Sequence, residues 1–375
     1  MPAVGLFGAP GSGKSTVFKA LTRQSAAQQF ATLDLKPHQA MVKIPDPRLD
    51  KLVELVSPRS IVHAAFEFVD IPGFDPSAER KLKTAVLEHY RRVDALALVV
   101  DLFSDVGATR ASPENQSGSS TAGDARVAPT QVRNLLDELT LLDLITVERT
   151  HERLEKTSRL KGSVEDKIRL AALATLKAAL EDGTPARRVE LDEEQARSIR
   201  ELGLLSAKPV ICVLNLADDD FNKPATEVPG LAGVIELAEA EGLQPLRFAA
   251  ALEAALADMT DEEAAEYMAE FGVSEPSLPR FIHAAFGTLG LLTFFTAGEQ
   301  EVRSWPLRAG STAQQAAGSI HSDLARGFIR AETVAYDDFI AGGGWAGAKT
   351  VGKVRLEGKQ YIVQDGDVLL IRFNV

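Results

Sequence analysis

A chain of 375 residues, 45% apolar and 25% charged, has room for two or three domains with their own cores and the composition of a soluble globular protein. No apolar run approaches the roughly 20 residues that cross a bilayer, and one cysteine, Cys212, excludes disulfides and cysteine-based metal sites within the chain. A net charge of −12 argues against indiscriminate coating of nucleic acid, so neither DNA nor a membrane is an expected partner.

Ala3-Val4-Gly5-Leu6-Phe7 is a short apolar run suited to a buried parallel strand, not to a secretory signal, and the cytoplasm is the expected compartment. It leads into Gly8-Ala9-Pro10-Gly11-Ser12-Gly13-Lys14-Ser15, then Thr16 and the helix-like Val17-Phe18-Lys19-Ala20-Leu21. The octapeptide fits G-x-x-x-x-G-K-[ST] in the setting that motif requires, between a strand and a helix. Its glycines let the backbone curl so that successive N–H groups point inward onto phosphates, and the helix N-terminus adds partial positive charge there. Lys14 would reach the β/γ-phosphates, and the Ser15 hydroxyl would take one Mg²⁺ position. The loop is read as binding a nucleoside triphosphate, with Gly8, Pro10, Gly11, Ser12, Gly13, Lys14, Ser15 and Thr16 around it.

Phe30-Ala31-Thr32-Leu33-Asp34 opens an irregular stretch, after which Ile61–Val69 alternates toward a strand ending at Asp70-Ile71-Pro72-Gly73. A helix-like segment, Ala78–Val93, precedes Ala95–Val100, whose unbroken apolar character marks a central parallel strand. Alternating strands and helices predict an α/β, doubly wound sheet. From Ser104 to Thr130 the composition shifts to Gly, Ser, Ala, Thr and Pro, read as a mobile loop or linker. Val132, Leu135, Leu139, Leu142 and Ile145 then recur at helical steps, and after Gly162-Ser163 a second stripe holds Ile168, Ala172, Leu176 and Leu180. Two long helices across a glycine turn predict an inserted antiparallel α-hairpin. A third helix, Asp192–Leu204, starts on acidic residues.

Pro209–Leu214 resumes the sheet, and Leu246-Arg247-Phe248-Ala249-Ala250 looks like its last strand, with helices at about 260–271 and 277–289 after it. From Leu291 short strands and turns alternate: Leu292–Thr296, Val302–Leu307, a helix from Thr312, Phe328–Ala335, Val354–Leu356 and Val368–Val375, with Gly342-Gly343-Gly344 in a loop. The rhythm divides the chain into 1–130 and 206–290 as the two parts of a P-loop NTPase domain, 131–205 as the helical insertion, and 291–375 as a small α+β domain. Residues 211–280 carry most of the acidic excess. The last domain balances nine Lys/Arg against nine Asp/Glu, so a local RNA contact there is electrostatically allowed.

Three later elements complete the nucleotide reading. Asp70-Ile71-Pro72-Gly73 has the D-x-x-G form, in which the carboxylate serves Mg²⁺ and the Gly73 N–H faces the γ-phosphate; Thr32 is placed to add a hydroxyl to Mg²⁺ when that phosphate is present. Asn215-Leu216-Ala217-Asp218 follows an apolar strand, where N-K-x-D reads the base in GTPases, and Ala249-Ala250-Ala251 would back the base. Lys14, Thr32 and Gly73 are the catalytic candidates, Ser15, Thr32 and Asp70 the magnesium candidates, and Asn215, Leu216, Asp218, Ala250 and Ala251 the base candidates.

With these residues in this order the chain resembles the YchF-type (Obg-like) ATPases, P-loop NTPases related to the Obg GTPases. The resemblance is carried most strongly by Phe294-Phe295-Thr296-Ala297-Gly298, Gln315-Ala316-Ala317-Gly318 with Ile320-His321, Gly327–Glu332, and Tyr361–Val368 with Phe373-Asn374-Val375, which look like that family's TGS-containing, β-grasp-like tail. It implies ATP and GTP binding with slow hydrolysis and association with ribosomes or translation. It also implies a missing catalytic glutamine: the position after D-x-x-G is Phe74, whose side chain cannot hydrogen-bond water.

Several residues depart from that pattern. Gly11 stands where the family loop carries an Asn that helps hold a monovalent cation, which removes the basis for potassium activation. Asp75–Lys83 is short and charged where the family has a longer Gly-rich switch. The family's proposed catalytic His has no counterpart between His89 and His151; Arg110 falls near that place. Leu216 replaces the Lys of N-K-x-D while Asp218 is kept, so the chain sits between the guanine pattern and the family's N-x-x-E. ATP is expected by resemblance, with GTP open. Three classes of function stand at this point: a Mg²⁺-dependent ATPase or GTPase whose nucleotide state gates binding to a ribosome or RNA; a nucleotide sensor with negligible turnover; and, without supporting residues, a small-molecule kinase.

Overall fold

The computed structural model describes residues 2–22, 37–72, 80–103 and 121–374. Its strands are β1 (Ala3–Phe7), β2 (His38–Lys43), β3 (Ser60–Val62), β4 (Ala65–Asp70), β5 (Ala95–Leu102), β6 (Val210–Leu216), β7 (Gln244–Phe248), β8 (Leu291–Ala297), β9 (Glu301–Arg308), β10 (Phe328–Ala335), β11 (Arg355–Glu357) and β12 (Asp367–Phe373). The helices up to the second sheet are α1 (Lys14–Thr22), α2 (Pro47–Val56), α3 (Arg80–Arg92), α4 (Thr121–Lys161), α5 (Val164–Glu181), α6 (Glu193–Ile199), α7 (Leu231–Ala240), α8 (Ala250–Leu256), α9 (Asp261–Glu270) and α10 (Ser277–Thr288). Within the second sheet lie α11 (Ala313–Ile320), α12 (Ser322–Arg326), α13 (Tyr336–Ala341) and α14 (Trp345–Thr350). They gather into two units, one of Ala3–Ala40 and Phe68–Phe281, the other of Met1–Pro2, Met41–Glu67 and Ile282–Val375.

The first unit is built on a sheet of order β2-β4-β1-β5-β6-β7. β1, β5, β6 and β7 run parallel, with Leu6 opposite Ala97, Val99 opposite Val213, and Val213 opposite Leu246. The apolar runs sit where both faces are covered: all seven residues of β6 are buried. Phe7, Leu96, Leu98, Val100, Cys212 and Leu214 pack on one face against Tyr90 of α3, Leu136 and Leu139 of α4, and Leu231 and Val234 of α7. Their strand neighbours alternate to the other face. Phe68 and Phe248 meet Phe281 with ring centroids 5.4 and 5.5 Å away.

The inserted hairpin is α4 against α5, with Val147, Leu173, Leu176 and Leu180 in its own small core. Ser163 starts α5 through a reciprocal capping box with Asp166. The expected linker over 104–130 needs correction for its described end: α4 begins at Thr121, ten residues before the boundary expected from composition, and Ala128 is already buried in the sheet's core. Pro129, which reads as a breaker, lies inside this helix, where a Cβ on Gly233 of α7 would come within 3.0 Å of its ring. The remainder of that stretch lies outside the described residues.

The second unit holds a sheet of order β11-β10-β12-β8-β9-β3. β8 and β9 form an antiparallel hairpin, β10 pairs antiparallel with β11 and β12, and β12 runs parallel to β8 with Val368 opposite Phe295. A final strand parallel to the first, with a helix over one face, is the β-grasp-like arrangement the tail implied. Phe294, Trp305 and Leu369 pack under Ala313, Ala316 and Ala317 of α11, which starts on a Thr312–Gln315 capping box.

The opposite face is covered by a segment whose sequence reads as irregular up to Ile61, and the single strand expected over Ile61–Val69 is instead two, β3 and β4, in different sheets. Residues 41–67 supply α2, whose Leu49 and Leu52 are buried with Phe295, Val302, Val334 and Val368, and β3, which pairs parallel with β9. Asp46 caps α2 ahead of Pro47. Arg48 binds Asp46 and Asp365, at 2.8 and 2.6 Å, and lies over the Phe295 ring.

Candidate functional site

The loop between β1 and α1 needs its glycines for two different reasons. A Cβ on Gly8 would lie 2.5 Å from the Val99 carbonyl oxygen, and one on Gly13 would lie 2.2 Å from Asn215 Nδ2, so at both positions neighbouring atoms come too close for any side chain. Gly11 has open space around it but φ +85°, a conformation L side chains resist. The first turn of α1 begins with the Thr16 and Val17 amides donating to Gly13 O at 3.0 and 2.9 Å. Pro10, Gly11 and Ser15 are exposed, Ser12 and Lys14 buried, and Thr16 intermediate. The Ser12 hydroxyl is buried without a hydrogen-bond partner, a polar atom in want of a ligand.

Lys14 is folded back into this curl. Its Nζ donates to Gly8 O at 3.0 Å and Ala9 O at 2.8 Å, and the residue is only 7% exposed. Burial pulls the ammonium down from 10.5 to about 8, a shift that the nearby Asp70 carboxylate opposes. Asp70, the last residue of β4, accepts from the Ser15 hydroxyl at 2.8 Å. Its own burial holds the carboxyl above the usual carboxylate range, against the pull of Ser15, Lys14 and His38. Lys14, Ser15 and Asp70 therefore converge. Thr32, Gly73, Phe74 and Arg110 lie outside the described residues.

Among the described residues no three His, Cys, Asp or Glu side chains cluster as a protein-made metal cage. The Ser15 hydroxyl and Asp70 carboxylate form an all-oxygen corner beside the phosphate cradle, which suits a hard ion that takes its remaining ligands from phosphate and water. The residues present fit Mg²⁺.

Among the base candidates, Asn215 acts as a strut. Its Nδ2 donates to Ser12 O at 3.1 Å and its Oδ1 accepts from the Ala250 amide at 3.2 Å, tying the phosphate loop to the start of α8. Asp218 Oδ1 accepts the Leu252 amide at 3.1 Å, and burial raises this carboxyl. Leu216 is buried within the sheet's core, Ala250 is buried, and Ala251 is exposed. The structure thus brings Asn215, Asp218 and Ala250 together and gives Leu216 to packing.

Two residues go unmarked by any motif. Phe103, just past β5 and 43% exposed, has a ring atom 3.4 Å from where a Gly13 Cβ would stand, leaving an aromatic face beside the phosphate loop; its amide donates to Asp101. Tyr90 of α3 is fully buried edge-on to Phe7, with its hydroxyl donating to Pro72 O at 3.3 Å, two residues past Asp70. An aromatic after a central strand was the available signal for Phe103; Tyr90 gave none, since a buried helix position tolerates any large apolar residue.

Comparison with known proteins finds relatives along nearly the whole chain. Residues 3–125 match a family of 50S ribosome-binding GTPases, and residues 291–374 match the YchF-GTPase C-terminal family, itself described as a protein of unknown function. The chain is 42% identical over 377 residues to the Ribosome-binding ATPase YchF of Bacillus subtilis (strain 168), covering 99% of each. It is 40% identical to the protein of that name in Escherichia coli O157:H7, again over 99% of each, and 34% identical to Obg-like ATPase 1 of Oryza sativa subsp. japonica, over 99% of this chain and 92% of that one. The solved structure of the Schizosaccharomyces pombe YchF GTPase superposes with a TM-score of 0.81 at 28% identity, covering 99% of this chain and 97% of that one.

Proposed function

The chain belongs to the YchF family of Obg-like P-loop NTPases, and from that premise we propose that it is a Mg²⁺-dependent ATPase whose nucleotide state gates association with the ribosome. The observation that carries the reading is the buried Lys14 ammonium, held by carbonyls of its own loop beside the Ser15–Asp70 pair. An ammonium in that position is ready to exchange two neutral acceptors for phosphate oxygens, a stronger charge-assisted interaction. Loop amides and the α1 N-terminus bind the polyphosphate, and Asn215 keeps the loop in register with the base side. Ser15 and Asp70 would hold Mg²⁺, which when bound neutralises charge on the β- and γ-phosphates.

Adenine is favoured over guanine by one feature of this chain: no Lys stem covers the ring, because Leu216 occupies the Lys position of N-K-x-D and is buried. Phe103 offers a stacking face that accepts either purine. Phe74 in place of a water-orienting glutamine supports slow turnover until a partner completes the site. The C-terminal domain is the proposed ribosome or RNA contact.

The test is calorimetric titration of ATP and GTP in Mg²⁺, followed by phosphate release with and without ribosomes. Tighter binding of ATP, slow release, and a change in ribosome co-sedimentation between ATP and ADP are expected. Absence of binding by either nucleotide refutes the nucleotide assignment; equal binding of the two refutes the base preference alone.

A further inference from the structure

One histidine stands beside the magnesium corner. β2 and β4 are neighbours in the first sheet. Beyond the end of β2, the Ile44 amide donates to Ala64 O at 2.8 Å, while at the start of β2 His38 acts electrostatically on the Asp70 carboxyl at the end of β4. Numbers that rise along one strand as they fall along the other define an antiparallel pair. His38 lies six residues before Ile44 and Asp70 six after Ala64, so a ladder continued without a bulge from the Ile44–Ala64 bond sets His38 opposite Asp70. Residues directly opposite have Cβ atoms about 4.5–5.5 Å apart and project from the same face. The half-buried imidazole therefore shares its side of the sheet with the carboxylate that Ser15 holds by Oδ2 alone.

We propose that His38 is a positioning residue of this site, its ring N–H donating to the Asp70 oxygen that Ser15 leaves free and fixing the carboxylate plane toward Mg²⁺. A carboxylate held at one oxygen can rotate about its last torsion; held at both it cannot. Lys14 faces the same carboxylate but is directed at phosphate, and Tyr90 is spent beneath Pro72, so neither duplicates the second contact. The inference rests on the nucleotide reading above and adds a residue to it.

The test compares ATP affinity of the full chain by calorimetry in Mg²⁺ and in EDTA. Wild type gains affinity on adding Mg²⁺. His38→Ala is expected to lose about tenfold of that gain while its affinity in EDTA stays within about twofold, the size of effect one charge-assisted hydrogen bond supports. His38→Asn, which keeps an N–H donor on a shorter stem, restores part of the gain, and the melting temperatures of both variants match wild type. In turnover assays kcat falls in His38→Ala with the KM for ATP unchanged at saturating Mg²⁺. An undiminished Mg²⁺ gain in His38→Ala, or equal losses in His38→Ala and His38→Asn, overturns the inference and leaves the nucleotide reading intact. A wild-type chain that binds ATP in neither condition overturns both.

Discussion

If Lys14 is the group that meets the triphosphate, ATP binding must take up a proton. In the free protein burial pulls its ammonium to about 8, against 10.5 unperturbed. A triphosphate binds the charged form, so the association constant falls by the fraction of Lys14 that has lost its proton. That fraction is small at pH 7 and about nine-tenths at pH 9, which weakens ATP about tenfold across the interval, or about 1.4 kcal/mol. At pH 8 binding should draw in about half a proton per nucleotide. Stability of the free protein moves the opposite way. Between about 8 and 10.5 the unfolded chain binds more protons at Lys14 than the native one, so the burial penalty is full below that window and disappears as pH rises through it. The limit of this gain is about 3 kcal/mol, since each tenfold loss of proton affinity is worth about 1.36 kcal/mol. Calorimetry at pH 8 in two buffers of different ionisation enthalpy reads the proton uptake directly, and urea titrations from pH 7 to 10 read the stability. Lys14→Met should show neither trend. Binding that is as tight at pH 9 as at pH 7, with no buffer dependence, refutes the assignment of Lys14 to the phosphates.

Three further perturbations probe the glycine loop, the anchor of the inserted hairpin and the aromatic beside the loop. Gly13→Ala drives a Cβ into Asn215 and imposes φ +89° on alanine, so equilibrium dialysis should find ATP affinity reduced more than about 100-fold, with about 2–4 kcal/mol lost from stability in urea. Asp143→Ala strips the buried carboxylate that accepts the Leu205 and Ser206 amides and the Ser206 hydroxyl at 2.9, 2.7 and 2.6 Å. Chemical denaturation should show a loss of about 3–5 kcal/mol, with Asp143→Asn retaining part of it. Phe103→Ala should weaken ATP about 5- to 30-fold in fluorescence titrations while Phe103→Trp preserves it, as expected for a lost stacking face.

What could be read in advance followed the range of the forces involved. The glycine loop after β1 and the buried runs of β5 and β6 are written in adjacent residues, because strand burial and loop curvature act over a few positions. Asn215 could be singled out from its motif, yet its use as a strut between Ser12 and Ala250 depends on atoms 203 and 35 residues away. The start of α4 was hidden by its Gly, Ala, Thr and Pro composition; packing of Ala128 and Val132 on the sheet outweighs weak local propensity there.

The segment 41–67 was hardest to read, and for a physical reason. Its short apolar pattern, Leu49-Leu52-Val53-Val56, has no partner nearby in sequence, because its core is made by Phe295, Val334 and Val368. Placing it there changes what β4 means. Ala65–Glu67 belong to the C-terminal unit, while the same six-residue strand ends at Asp70, the carboxylate beside Ser15. Arg48, bound to Asp46 and Asp365 and stacked on Phe295, makes α2 part of that unit's core rather than a loose attachment. Arg48→Ala should therefore cost that unit about 1–2 kcal/mol in chemical denaturation while ATP binds as tightly as to wild type; unchanged stability would refute the idea that this arginine anchors α2.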